Sequence, residues 1–242
     1  MITIKVFEDY NEMSAYAAEI VKEVINSIKK PVIGLATGSS PIGLYKNLIE
    51  MNKSNQVDFS QVTSVNLDEY IGLSGDHPQS YRYFMNQNLF DHININKANT
   101  FIPNGIADDL GQECKDYDQK LQDLGYADIQ ILGIGSNGHI GFNEPDTKLN
   151  ANTHVTGLTT ATIEANARFF NSSDEVPQQA ISLGLGGIMK SKKIVLIANG
   201  TNKAKACKSF VDEYIDPQIP ASFLKLHPNV VVCLDKEAAS LL

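Results

Sequence analysis

Short apolar runs of strand length alternate with helical stretches along nearly the whole chain, and this alternation constrains the fold most. Strands that are apolar throughout are typical of a parallel sheet that helices cover on both faces. The pattern therefore predicts an α/β fold with a single doubly wound, mostly parallel sheet in one domain over 1–242. The predicted strands are 2–7, 31–36, 62–67, 129–133, 180–183, 194–198 and 229–234, and the predicted helices are 11–29, 41–52, 108–124, 160–170 and 201–215.

Composition and charge exclude several classes of protein. The 20 Lys and Arg against 28 Asp and Glu give a net charge of −8, without the basic surface that nucleic acids and anionic membranes require. The three cysteines are scattered and form no Cys-x-x-Cys pair, so neither a disulfide framework nor a thiolate metal site is expected. No apolar run is long enough for a membrane span, and the acidic start is unlike a signal peptide. We expect a cytoplasmic protein with no nucleic-acid or membrane partner.

The loop after the second predicted strand has the composition of an anion site. Thr37, Gly38, Ser39 and Ser40 directly precede a helix that is predicted to begin at Pro41. Small residues before a helix N-terminus offer free N–H groups and a favourable dipole to an anion. The alternative is that Ser39 or Ser40 is an ordinary N-cap of this helix.

A lysine follows the strand at 194–198 in a similar position. Lys203 falls in the first turn of the predicted helix 201–215, where the helix dipole disfavours a cation. Such a charge is consistent with a bound anion, and a solvated surface lysine is the alternative. Arg168 is unremarkable by itself, because an arginine late in a helix suits the dipole.

Two adjacent acids, Asp68 and Glu69, follow the strand at 62–67. Neighbouring side chains of an extended chain point to opposite sides, so only one of these acids easily faces a pocket. That acid is either a general base or a cap for the next segment. In open α/β sheets ligands bind beyond the carboxyl ends of the strands, where these acids are predicted to lie.

A glycine-rich segment with a histidine and a carboxylate follows the strand at 129–133. It contains a literal G-x-G-x-x-G, but no amphipathic helix follows its third glycine, and a nicotinamide cofactor is therefore not expected. His139 and Glu144 can relay a proton if the carboxylate fixes the imidazole tautomer. A metal site is the rival interpretation, although the segment has no second histidine at helical spacing. A buried structural histidine remains the third.

Three segments together resemble the glucosamine-6-phosphate deaminase family: Leu35–Pro41, Asn66–Tyr70 and Gly135–Pro145. The third segment is highly specific, whereas the first is shared with related sugar-phosphate enzymes. The resemblance runs from the first predicted strand to the last. It implies a Rossmann-like fold of the sugar-phosphate isomerase type. The implied reaction converts glucosamine 6-phosphate and water to fructose 6-phosphate and ammonia, with no cofactor and no metal.

The resemblance also implies a role for each matching residue. Asp68 would be the base that takes the proton from carbon 2 of the sugar and returns it to carbon 1. His139 would open the sugar ring, assisted by Glu144 and Asn137. Some members of the family have aspartate where this chain has Asn137, and asparagine can orient the histidine but cannot relay a proton. The groups implied to hold the phosphate are Thr37, Gly38, Ser39, Ser40, Arg168 and Lys203.

Other members of the family suggest how this enzyme is regulated. Longer members that N-acetylglucosamine 6-phosphate activates have basic residues near the positions of His154 and Thr156 and extend further at the C-terminus. We therefore expect a non-allosteric enzyme, a monomer or small homo-oligomer, with a candidate lid over 145–170.

Two rival functions are weighed against the deaminase. A 6-phosphogluconolactonase has a similar histidine motif but needs no base at carbon 2, so Asp68 and the ending Phe142–Pro145 favour the deaminase. A sugar-phosphate sensor usually carries a basic DNA-binding module, which this chain lacks.

Overall fold

The computed structural model describes residues 2–159, 163 and 175–242. Within them a seven-stranded sheet is accompanied by a separate three-stranded sheet. The strands are β1 Ile2–Phe7, β2 Val32–Leu35, β3 Thr63–Asn66, β4 Asp68–Tyr70, β5 Thr100–Phe101, β6 Ile129–Gly133, β7 His154–Gly157, β8 Gln179–Ser182, β9 Ile194–Ala198 and β10 Val230–Asp235. The helices are α1 Tyr10–Ser27, α2 Ile42–Lys53, α3 Tyr81–Asn88, α4 Leu110–Asp123, α5 Leu185–Met189 and α6 Ala204–Val211.

The larger sheet has the strand order β1-β10-β9-β6-β2-β3-β5, and every neighbouring pair is parallel. One buried apolar cluster packs α1, α2 and α3 against one face, and a second packs α4, α5 and α6 against the other. Neighbouring residues of β2 point to opposite faces of the sheet: Ile33 belongs to the first cluster and Val32 to the second. The predicted α/β class, with helices on both faces of a mostly parallel sheet, is confirmed.

The ends of several helices differ from the sequence prediction. Helix α2 begins at Ile42, and Pro41 is its N-cap rather than its first residue. The predicted helix 201–215 is a 3-10 helix at Thr201–Lys203 followed by the shorter α6. The predicted helix 160–170, at the end of the candidate lid 145–170, lies outside the described residues apart from residue 163, whereas residues 145–159 lie within them. No helix in the described part of the chain is long and apolar enough to cross a membrane.

The three-stranded sheet was not separated from the larger sheet by the sequence prediction. Its order is β4-β8-β7, and both pairs are antiparallel. The predicted strand 62–67 ends at Asn66, and the chain enters the second sheet two residues later. The predicted strand at 180–183 corresponds to β8, the central strand of this small sheet. Consequently Asp68 lies on a strand beyond the carboxyl end of β3 rather than in a loop.

Candidate active site

Asp68 is a buried carboxylic acid at the first position of β4. Asp68 is 6% exposed, and its Cα pairs with that of Ser182 in β8. Burial raises the pKa of Asp68 to about 8, and the nearby negative charge of Glu69 acts in the same direction. No group within the described residues donates a hydrogen bond to this carboxyl group. A carboxyl group that titrates close to neutral pH suits a base that takes up a proton and returns it.

Glu69 has a different role, because its carboxylate accepts hydrogen bonds from backbone N–H groups at the start of α3. It accepts hydrogen bonds from the backbone N–H groups of Tyr70 at 2.8 Å, Tyr81 at 2.8 Å and Arg82 at 2.9 Å. Burial raises the pKa of Glu69, and these three hydrogen bonds oppose that rise. Of the two acids, Glu69 is therefore the one that caps the next segment. Asp68 lies on the other side of the strand and takes no part in this contact.

The segment after β6 brings a histidine, a glutamate and an asparagine together. His139 Nδ1 lies 3.2 Å from Glu144 Oε1, at ion-pair distance but without the alignment of a hydrogen bond. The Asn137 side chain donates to Glu144 Oε2 at 2.7 Å and accepts from the backbone N–H of His139 at 3.2 Å. Asn137 therefore fixes the carboxylate relative to the backbone that carries the imidazole.

The glycines of this segment allow the imidazole to lie against the backbone. A Cβ atom on Gly135 would come within 2.3 Å of the His139 ring, and the Gly135 N–H donates to the His139 carbonyl at 2.9 Å. Gly138 has a φ of 88°, in the left-handed region that favours glycine. The G-x-G-x-x-G spacing in this chain therefore shapes a tight turn around His139. Within 2–159, 163 and 175–242, no three His, Cys, Asp or Glu side chains converge as a metal site requires.

The same segment crosses close to Asp68. A Cβ atom on Gly141 would lie 3.7 Å from Asp68 Oδ2 and 3.2 Å from Ser182 Oγ. The next residue, Phe142, donates its N–H to Ser182 Oγ at 3.0 Å. The turn that begins at His139 is thus held against the strand pair that carries Asp68.

The predicted anion loop Thr37–Ser40 is not used to cap α2. No side chain caps that helix, so the alternative of a Ser39 or Ser40 N-cap is wrong. Gly38 has a φ of 89°, and a Cβ atom there would meet nothing within 4 Å, so the loop has open space beside it. The Gly43 N–H of the first turn of α2 donates to the Tyr10 hydroxyl at 2.6 Å.

A side-chain contact joins this loop to the second predicted anion loop. Ser40 Oγ donates to Asn199 Oδ1 at 2.8 Å, across 159 positions of sequence. Lys203 ends the 3-10 helix that follows Asn199, and the intervening Gly200 N–H is held by both oxygens of Asp235 at 3.1 Å. Two predicted phosphate-binding segments therefore lie side by side, whereas Arg168 lies outside the described residues.

Tyr81 is a site residue that the sequence prediction did not include. Its hydroxyl is hydrogen-bonded with the side chains of Thr37 and Tyr70, and burial raises its pKa well above the usual value, so the phenol stays protonated. It borders a cavity of about 200 Å³ between Gly38 and α3. Its position follows from the Glu69 contact at the start of α3, for which the sequence has no local pattern.

Comparison with known proteins defines the class. Residues 8–232 match a family model described as glucosamine-6-phosphate isomerases/6-phosphogluconolactonase. The chain belongs to this family of sugar-phosphate enzymes. Its relatives include the glucosamine-6-phosphate deaminase of Clostridium beijerinckii, 59% identical over 97% of both chains. That of Thermoanaerobacter pseudethanolicus is 58% identical over 97% of this chain and 92% of its own.

Solved structures separate the two branches of the family. A monomeric glucosamine-6-phosphate deaminase matches with a TM-score of 0.97 and 46% identity, over 99% of this chain and 100% of that chain. The 6-phosphogluconolactonase of Trypanosoma brucei matches with a TM-score of 0.77 and 19% identity, over 100% of this chain and 99% of its own. The second likeness extends to the fold alone.

Proposed function

We propose that the chain converts glucosamine 6-phosphate and water to fructose 6-phosphate and ammonia. The observation that carries this proposal is the buried carboxyl group of Asp68, with no hydrogen-bond donor among the described residues, next to the turn that holds His139. A reaction that moves a proton from carbon 2 to carbon 1 needs such a base, whereas lactone hydrolysis does not. The deaminase relatives, 58–59% identical, agree with this choice.

The phosphate of the substrate is the anchor in this proposal. The loop Thr37–Ser40 and Lys203 would hold it, because the Ser40–Asn199 hydrogen bond joins the open loop before α2 to the segment that leads into Lys203. Arg168 is proposed as a third phosphate ligand on the family resemblance alone. Binding energy from the remote phosphate then positions the reacting carbons.

Ring opening is the first chemical step. His139 takes the proton of the anomeric hydroxyl and delivers a proton to the ring oxygen, so that the ring carbon–oxygen bond breaks and the aldehyde forms. Glu144 lies 3.2 Å from Nδ1 and stabilises the imidazolium that exists between the two transfers. Asn137 is a supporting residue, since it fixes Glu144 by the 2.7 Å hydrogen bond.

Proton transfer between carbons 2 and 1 follows. Asp68 removes the carbon-2 proton, the electron pair forms the carbon–carbon double bond of an enolamine, and the aldehyde oxygen gains a proton. Return of a proton to carbon 1 places the double bond between carbon 2 and nitrogen. Addition of water to carbon 2 and departure of ammonia give the ketone. These steps are proton transfers and a hydrolysis, so the proposal requires no cofactor.

Two parallel assays test the function. The protein is incubated with glucosamine 6-phosphate, and ammonia and fructose 6-phosphate are measured; a second sample receives 6-phosphogluconolactone. We expect equal amounts of ammonia and fructose 6-phosphate and no enzymatic lactone hydrolysis. Lactone hydrolysis without ammonia release would replace the deaminase with the lactonase.

We also propose a single catalytic domain that acts as a monomer or small homo-oligomer in the cytoplasm. The high structural similarity to a monomeric deaminase supports the first part. The three cysteines Cys114, Cys207 and Cys233 are free and buried, which agrees with a reducing compartment.

Regulation by N-acetylglucosamine 6-phosphate is not expected. Burial lowers the pKa of His154, so its imidazole is uncharged at neutral pH, and Thr156 carries no charge. These two positions therefore supply no fixed positive charge for a phosphate. Rate against substrate concentration should be hyperbolic and unchanged by this compound, and a sigmoidal curve that the compound makes hyperbolic would contradict the proposal.

A further inference from the structure

Two parts of the proposed machinery are attached to the same end of β8. Leu183, the residue after this strand, donates its N–H to the carbonyl of Leu67 at 2.7 Å, directly before Asp68. One residue earlier, Ser182 is the Cα partner of Asp68. The position of the carboxyl group is therefore fixed by the end of β8.

The His139–Glu144 turn is attached to the same two residues. Ser182 Oγ accepts the Phe142 N–H at 3.0 Å, and the carbonyl of Leu183 accepts the Asn143 side-chain amide at 2.9 Å. The same amide group also donates to the Ile140 carbonyl at 2.9 Å, which closes the turn on itself.

We infer that Ser182 and Asn143 are positioning residues that set the distance between Asp68 and the His139–Glu144 pair. Both are almost fully buried, at 0% and 2% exposed, so water competes little for the groups that form their hydrogen bonds. Their hydrogen bonds attach one acid–base group to the strand pair that carries the other. Proton transfer requires heavy atoms within about 2.6–3.2 Å, so a small shift of this turn changes the rate rather than substrate binding.

Phosphate binding is expected to be insensitive to this attachment. The proposed anchor lies on the Thr37–Ser40 loop and on Lys203, which follow β2 and β9 of the larger sheet. The inference rests on the proposed deaminase activity. It adds that weakening this attachment lowers kcat and leaves KM nearly unchanged.

The test compares Ser182→Ala and Ser182→Thr with the wild-type enzyme. The alanine variant leaves the Phe142 N–H without its acceptor, and we expect kcat for ammonia release to fall about 10- to 100-fold, with KM within twofold. The threonine variant keeps the hydroxyl and should recover kcat to within about threefold of wild type. Asn143→Ala provides a second test of the same attachment and should show the same separation of kcat from KM.

Ser222→Ala is the matched control. Ser222 is also 0% exposed, and its hydroxyl accepts a backbone N–H, that of Asp216, at 2.8 Å. We expect a similar loss of thermal stability without the loss of kcat, with all assays run well below the melting temperatures.

Several outcomes would overturn the inference. One is a folded Ser182→Ala enzyme whose kcat is within twofold of wild type. The second is a Ser182→Ala enzyme in which KM changes rather than kcat. The third is a Ser182→Thr enzyme whose kcat does not recover. If Ser182→Ala does not fold, Asn143→Ala decides by the same criteria. A wild-type enzyme that releases no ammonia refutes the proposed function instead, so the two failures are distinguishable.

Discussion

The two sheets contribute different parts of the site and are specified by the sequence in different ways. The seven-stranded sheet supplies the loops proposed to hold phosphate and, after β6, the His139 turn. The three-stranded sheet supplies Asp68, on a strand of three residues that pairs with β8 more than 100 positions away. The proposed phosphate ligands and the proposed carbon-2 base are therefore on separate structural units. Substitutions in one unit should leave the property of the other largely intact.

Replacement of the base should give the largest effect. Asp68→Asn removes the proposed acceptor of the carbon-2 proton, and we expect ammonia release to fall about 10²- to 10⁴-fold with little change in KM. Exchange of the carbon-2 proton with solvent, followed by NMR, should stop. Asp128→Asn is the control, because Asp128 is equally buried but bonds the Val32 N–H at the opposite end of the sheet. Full exchange in Asp68→Asn would assign the base elsewhere.

Loss of the proposed phosphate ligand should affect the other unit. In Lys203→Ala a charge-assisted contact to the phosphate is lost, which is worth about 1.5–3 kcal/mol and raises KM about 10- to 100-fold. The matched control is Lys208→Ala, in the last turn of α6, the helix that begins directly after Lys203, and it should retain the wild-type KM. A fall in kcat at unchanged KM would place Lys203 with the chemistry and would end the separation between the two sheets.

The pH profile tests the electrostatic link between the two adjacent acids. As the proposed base, Asp68 would act in its ionised form, so kcat/KM of the free enzyme should rise with pH through the Asp68 pKa of about 8. Glu69→Gln removes a nearby negative charge that raises this pKa, so the rising limb should move to lower pH. Glu12→Gln in the first turn of α1 is a surface control and should leave the profile unchanged. A limb that does not move would indicate that burial alone controls Asp68.

The free energy of unfolding should also depend on the same carboxyl group. Its pKa is 3.8 without the fold and about 8 within it, so the folded state binds the extra proton between these values. The contribution of this carboxyl group to the free energy of unfolding of the wild-type protein is therefore fully present at low pH. It is lost as the pH rises through about 8. Asp68→Asn cannot ionise, and its unfolding free energy relative to wild type should increase over that range. Denaturant titrations at pH 4 and pH 9 measure the difference, and an equal difference at both pH values would contradict the raised pKa.

The larger sheet could be predicted from local patterns because each of its central strands is an apolar run. β6 and β9 coincide with the predicted segments 129–133 and 194–198, and β2 lies inside 31–36. Helix α2 starts one residue late, since Pro41 takes the N-cap position without a side-chain hydrogen bond. A continuous apolar run suffices where a strand is covered on both faces.

The smaller sheet could not be predicted in the same way. The pairing of Asp68 with Ser182 joins strands of three and four residues across nearly half of the chain, and neither strand is long enough to show a period. Tyr81 was left out of the predicted site for a related reason, because the Glu69 carboxylate that accepts its N–H lies 12 positions earlier in the sequence. The acid pair itself was visible, and the opposite directions of adjacent side chains anticipated that the two acids differ. The segments that carry chemistry were thus recognisable, but the contacts that align them were not.

The hydrogen bond between Ser40 and Asn199 has a consequence for how the protein is made. The proposed anchor for the sugar's phosphoryl group combines residues from the first and last fifths of the chain. A polypeptide still on the ribosome has no complete binding surface until Lys203 has emerged. Substrate can stabilise only the finished molecule, since a ligand favours the state that binds it. Earlier stages of synthesis must fold without that contribution.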